Sequence, residues 1–248
     1  MPAETKTGQW FTSDAGVRWF FDAGSVGLDF AYLGGFTAAP TSTPSTDVPG
    51  PGPGPASTAA PFGPASGLPA SGLPGSGWDG LLLPADLDGW LRERFDGLAA
   101  ETSERELVDA RSLRDAIARL ALAAADGHVP ATEGVGADDI DTLNLFAALP
   151  DVPPSLAGGR RQAGAGRLRI TQALSSIARD AVALFAETGF AGAADSRLRR
   201  CAADDCRLVF VDESRAGTRR WCSMQKCGNR AKVRAHRARA AAAASASA

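Results

Sequence analysis

The sequence predicts an α+β chain: a mainly helical N-terminal domain with a few short strands, followed by a small C-terminal four-cysteine zinc finger of knuckle, β-hairpin and helix. Three observations predict it. Apolar residues recur at helical spacing through the middle of the 248 residues, all four cysteines fall between positions 201 and 227 in two equally spaced pairs, and a Pro/Gly/Ser-rich stretch interrupts the first third.

Composition sets the class. A charged fraction of 22% and a hydrophobic fraction of 44% are those of a soluble globular protein. The opening "MPAETKTGQW" lacks a basic region followed by an apolar run, and no apolar stretch reaches the roughly 18–20 residues of a membrane span. The expectation is a cytoplasmic protein without a membrane partner, in a reducing compartment where clustered thiols hold metal more often than they form disulfides. The formal charge of −2 conceals a division. Residues 197–239 hold 13 Lys/Arg and 4 Asp/Glu, a local charge of +9, against 13 basic and 24 acidic residues elsewhere, or −11.

The elements follow in order. "VRWFFDAGSVGLDF" (17–30) reads as a short apolar strand, a turn at Ala23-Gly24-Ser25 and a second apolar segment, with strand and helix both open for Leu28 to Leu33. Residues 40–77 contain ten Pro, eight Gly and one charged residue, which predicts a disordered insertion. In "PADLDGWLRERF", Pro84 suits a first helical turn and Leu87, Trp90, Leu91 and Phe95 share a face. Ser103-Glu-Arg-Glu106 is a capping box for a helix whose stripe of Leu107, Ala110, Leu113, Ile117, Leu120 and Ala124 stops at Gly127. A shorter helix from about Ala137 to Leu149 carries Ile140, Leu143 and Ala147 inward. Another, from Thr171 to Glu187, carries Leu174, Ile177, Ala181, Leu184 and Phe185.

Cys201-x4-Cys206 and Cys222-x4-Cys227, separated by fifteen residues, make a two-pair arrangement that suits one tetrahedral Zn(II). Two disulfides or four free thiols are the competing reading, and redox chemistry fits less well because neither pair has Cys-x-x-Cys spacing. Four thiolates leave no open coordination position, so the zinc is expected to be structural. "RLVFV" and "RRWC" are expected to pair as the finger's strands around "DESRAGT", with Asn229 capping a helix from Arg230 to Ala244. Because so small a module buries little core, removing the metal is expected to unfold the finger and leave the helical body intact.

After Glu213 no acidic side chain occurs, while nine Lys/Arg follow. Two or three of them suffice to offset the −2 charge of a four-thiolate zinc site, and the excess suits phosphate contacts. The competing readings are a solvated or protein-contacting helix and attachment to a membrane surface; the last needs large apolar residues that this helix lacks. On a helical wheel Arg230, Arg234 and Arg237 share one face, Lys232, His236 and Arg239 another, with Ala231, Ala235 and Ala238 between.

"RLRRCAADDCRLVFVDESRAGTRRWCSMQKCGNRAKVRAHRAR" resembles the CGNR zinc finger family, whose tetrapeptide is present as Cys227-Gly228-Asn229-Arg230. The segments "FDAGSVGLDF", "LLLPADLDGWL", "ARSLRDAIARL" and "IARDAVALF" resemble the ABATE domain that commonly precedes that finger. In that domain Asn-Thr often follows the "LDF" aspartate, here Asp29, where this chain has "AYLGG". The resemblance implies an ABATE-like domain over 1–39 and 78–192, a finger over 197–240 ahead of an Ala/Ser tail at 241–248, and zinc ligation by Cys201, Cys206, Cys222 and Cys227. It further implies a bacterial, stress-related DNA-binding transcription regulator rather than an enzyme. Arg219, Arg220, Lys226, Arg230, Lys232, Arg234, Arg237 and Arg239 are the expected nucleic-acid contacts, with double-stranded DNA the expected partner. An RNA-binding factor or a protein-binding adaptor is the alternative.

Nothing in the sequence builds a catalytic constellation. His128 reads as a loop residue and His236 sits within the basic helix; Asp138, Asp139 and Asp141 suit a helix N-terminus better than a metal. Asp29, Arg111, Arg114 and Asn144 could line a small-molecule effector pocket or could serve as ion pairs and caps. A lone finger reads few bases, which favours a homodimer on geometric grounds, although no heptad pattern marks one.

Overall fold

The computed structural model describes residues 6–12, 16–33, 81, 83–98, 101–127, 136–153, 167–189 and 196–246. The Pro/Gly-rich stretch and His128 lie outside the described residues. Strands β1 (Gln9–Thr12) and β2 (Arg18–Phe21) pair antiparallel with Trp10 opposite Phe20. Alternation along the strands sends Phe11, Trp19 and Phe21 into the core and leaves Trp10 and Phe20 outside. The sequence reading anticipates β2 and misses β1, whose "QWFT" is too short for periodicity to register.

Gly24, at φ +82°, turns the chain out of β2, and Ser25 begins α1 (Val26–Ala31) by accepting the Leu28 N–H. The ambiguous segment is therefore helical as far as Ala31. Asp180 fixes it in place: its Oδ2 accepts from Ser25 Oγ at 2.5 Å and from the Gly27 N–H at 2.8 Å. A Cβ on Gly27 would lie 2.9 Å from that of Ala181, so this contact requires glycine.

Helix α2 (Pro84–Arg92) starts on its proline and buries Leu87, Trp90 and Leu91. Helix α3 (Glu104–Ala125) opens on the expected capping box: Ser103 Oγ accepts from the Glu106 N–H, and the Ser103 N–H donates to Glu106 Oε2. Helices α4 (Ala137–Ala147) and α5 (Ile170–Leu184) pack with α3, and α5 runs on into a wide π-type turn, Phe185–Gly189. Asp139 grips Arg119 with both carboxylate oxygens, at 2.6 to 3.0 Å, tying α4 to α3. That ion pair, with Asp138 and Asp139 in the first turn, accounts for the acidic start of α4. Among the described residues, no helix is long and apolar enough to cross a membrane.

Beneath the hairpin lies a buried carboxylate. Asp29 is fully enclosed, with Oδ2 accepting from the Gly8 N–H at 2.5 Å and Oδ1 from the Ala23 N–H at 3.0 Å. Nearby, Arg94 lies over the Trp90 ring at 3.9 Å and donates to the Gly8 carbonyl. Burial pushes the Asp29 carboxyl up to about 7, against the downward pull of its two N–H partners.

Between the ordinary value of 3.8 and about 7, the folded protein keeps a proton that the unfolded chain has released. Stability should therefore fall as pH rises through that window, by on the order of 4 kcal/mol from this group alone. Urea denaturation near pH 5 and near pH 8 checks this. The Asp29→Asn protein should be weaker at both values, because an amide N–H then faces a backbone N–H, but its pH dependence should be flatter; an unchanged slope would count against the assignment.

Candidate zinc centre and basic helix

The finger begins with β3 (Leu198–Arg200), which pairs antiparallel with β4 (Val209–Val211) in the register Leu198 to Val211. The hairpin thus encloses the first cysteine pair. This corrects the expected pairing of "RLVFV" with "RRWC". The "DESRAGT" segment instead folds around Asp212, whose carboxylate accepts from the Ser214 N–H, Ser214 Oγ and the Arg219 N–H. The far edge of β4 is already occupied: the Val209 N–H donates to Tyr32 Oη at 2.9 Å and the Val211 N–H to the Ala23 carbonyl at 2.8 Å. No edge of β4 remains for a third strand.

Cys201, Cys206, Cys222 and Cys227 are all buried, and their sulfurs lie within 4.8 Å of one another. Cys206 and Cys222 are 3.7 Å apart, and Cys222 and Cys227 are 3.5 Å apart. Thiolates about 2.3 Å from a tetrahedral zinc are separated by about 3.8 Å, so the cluster fits one structural Zn(II) with no position left for water. Outer contacts suit its negative charge: the Cys222 N–H points to Cys201 Sγ and Arg230 Nη2 to Cys227 Sγ, each at 3.4 Å. From the second pair the chain makes a wide π-type turn, Met224–Gly228, N-capped by Ser223, and runs straight on into the last helix, so Asn229 is already helical at φ −67° and ψ −39° and does not act as an N-cap. A Cβ on Gly228 would fall 2.7 Å from Met224 Sδ and 3.4 Å from the Trp221 ring, so a larger residue there would displace the exposed Met224 side chain.

Finger and body share one core. Leu198, Leu208, Phe210 and the four cysteines are continuous with Phe21, Leu28, Tyr32 and Leu120. Tyr32 is buried between them, and its burial pushes the hydroxyl pKa up. Arg219 lies over the Phe210 ring at 4.0 Å and donates to the carbonyls of Asp22, Trp221 and Cys222. Its guanidinium therefore joins hairpin, finger and body. Lys226 rests over the buried Trp19 ring at 4.4 Å, and Arg200 pairs with Asp126 at the end of α3. The shared core gives the expectation that removing the metal leaves the body intact a direct test by chelation.

Helix α6 (Asn229–Ala246) carries Arg230, Lys232, Arg234, Arg237 and Arg239. Arg230 makes a two-pronged pair with Asp205 of the first knuckle, at 2.7 and 3.0 Å. Arg234 lies 3.9 Å from Asp204 and 3.7 Å from Asp205. Arg220, exposed, sits over Trp221 at 5.2 Å. Lys232, Arg237 and Arg239 are exposed and, among the described residues, make no ion pair; His236 is exposed beside them.

The four suggested pocket residues are not gathered around a shared space. Asp29 is sealed by backbone, Arg111 reaches the Leu81 carbonyl, Arg114 pairs with Asp115, and Asn144 is exposed. Sequence reasoning missed Tyr32 and the anchoring role of Arg219. Their partners lie 177 and 197 residues away, and neither position carries a local signature.

Tyr32→Phe should strand the Val209 N–H in the core, at a cost of about 1–3 kcal/mol. Denaturant unfolding of the zinc-loaded protein should show that decrease, and a competing chelator should strip the metal more readily. Unchanged stability would mean that the hydroxyl does not hold β4.

The comparisons agree with this geometry. A family model described as "CGNR zinc finger" matches residues 197–240. The ABATE model, described as "Putative stress-induced transcription regulator", matches residues 65–188, half of the 248-residue chain. No curated protein matches the chain. The hairpin and α1 lie ahead of the ABATE match, and the neighbouring Asp22, Ala23 and Tyr32 contact the finger alongside α3. The chain belongs to the family in which an ABATE domain precedes a CGNR zinc finger.

Proposed function

We propose that this protein is a cytoplasmic, non-enzymatic transcription regulator that contacts double-stranded DNA through α6. Cys201, Cys206, Cys222 and Cys227 hold the zinc that folds the finger. The observation that carries the reading is the exposed cationic surface of Lys232, Arg237 and Arg239 on a helix whose other face is turned toward the acidic knuckle. Each phosphate contact would release condensed counterions, which makes the affinity steeply dependent on salt. Arg220 and Arg234 extend the surface toward the knuckle, while Arg230 works mainly within the finger and Lys226 reaches Trp19 of the body.

This reading divides the chain into an ABATE-like domain over 1–39 and 78–192 and a finger over 197–240. The first domain is where an effector would act. Ala23 and Tyr32 hold the edge of β4, so a ligand that favoured one placement of α1 would bias the finger.

Binding of a duplex to zinc-loaded protein across a salt series tests the proposal. The Lys232/Arg237/Arg239→Ala protein should bind more weakly, with the log–log salt slope reduced by about one unit for each phosphate no longer neutralised. Equal binding by both proteins would defeat the DNA reading. A preference for RNA duplexes or for a protein partner would support the alternatives.

A further inference from the structure

Between the first knuckle and α6 lies an open cleft of about 180 Å³, small enough for a single ring system. Trp221, Ala203 and Ala231 line it with apolar surface, while Asp204, Arg230 and Arg234 add charge. Asp204 is 98% exposed, and its nearest cation is Arg234 at 3.9 Å, longer than a hydrogen bond. Arg234 is itself 58% exposed. Arg230 Nε is buried and without a hydrogen-bond partner among the described residues.

We propose that this cleft binds an unpaired guanine ring. An indole wall suits stacking of a planar base. The polar groups then select among the bases. A carboxylate only accepts hydrogen bonds, with two oxygens side by side, and guanine presents two adjacent donors, N1–H and the N2 amino group, on one edge. The neighbouring O6 accepts, and a guanidinium beside the carboxylate can donate to it. Adenine, cytosine and thymine each place an acceptor where one of those two donors would stand, which the carboxylate repels. In a duplex this edge of guanine is already paired, so the ring must come from a single-stranded segment or a free guanine nucleotide.

The site shares only Arg234 with the duplex-binding surface of α6, and the two readings can fail separately. The test uses the zinc-loaded full chain with pentathymidine and with pentamers carrying one central guanine, adenine or cytosine, at fixed salt. The guanine strand should bind about tenfold more tightly than the other three. Asp204→Ala should reduce that preference to about one without weakening pentathymidine, because the side chain is solvent-exposed and carries no fold contact beyond its long approach to Arg234. Competition by guanosine monophosphate would identify the free nucleotide as a sufficient ligand. Failure to compete, with the strand preference intact, would show that the flanking backbone is required. Equal affinity for all four strands, or a guanine preference that survives Asp204→Ala, would overturn the proposal. Duplex binding measured on the same samples reports on α6 independently of either result.

Discussion

Strand β4 is satisfied on both edges, and the arrangement of the C-terminal fifth depends on that. One edge pairs with β3; the other gives its N–H groups to Ala23 and Tyr32 of the N-terminal body. Buried backbone donors are costly to leave unpaired, so the body completes a sheet that the finger's own sequence is too short to complete. The consequence runs in both directions. Zinc would tie the cysteine turn that joins β3 to β4 to the second cysteine turn, and β4 in turn covers Tyr32 and the hairpin core.

Charge is arranged around the same contact. Arg219 sits at the junction of hairpin, finger and body, where stacking on Phe210 and its carbonyl acceptors offset the cost of removing its guanidinium from water. On the outer side, Asp205 restrains Arg230 and draws in Arg234, turning one side of α6 onto the knuckle. The cations farther along the helix face solvent. A run of arginines that looks uniform in the sequence thus divides by environment into groups that build the finger and groups free to meet a partner.

Features fixed by neighbouring residues were legible in the sequence. The Ser103–Glu106 capping box, the proline start of α2, the helical stripes and the cysteine spacing all depend on contacts a few positions apart. Features fixed at a distance were not. "RRWC" has the look of a strand, but Tyr32 and Ala23 already occupy the β4 edge that it would need. Asn229 has the chemistry of a cap, yet Ser223 takes that role because the wide turn begins earlier.

The most direct test of this coupling is native-state hydrogen exchange, followed with and without zinc. If finger and body are one cooperative unit, chelation should speed exchange not only at Val209 and Val211 but also along α1 and at the end of α3 near Leu120 and Ala124. Faster exchange confined to residues 197–246, with α1 and α3 as protected as before, would contradict a shared core and return the finger to the status of an independent module.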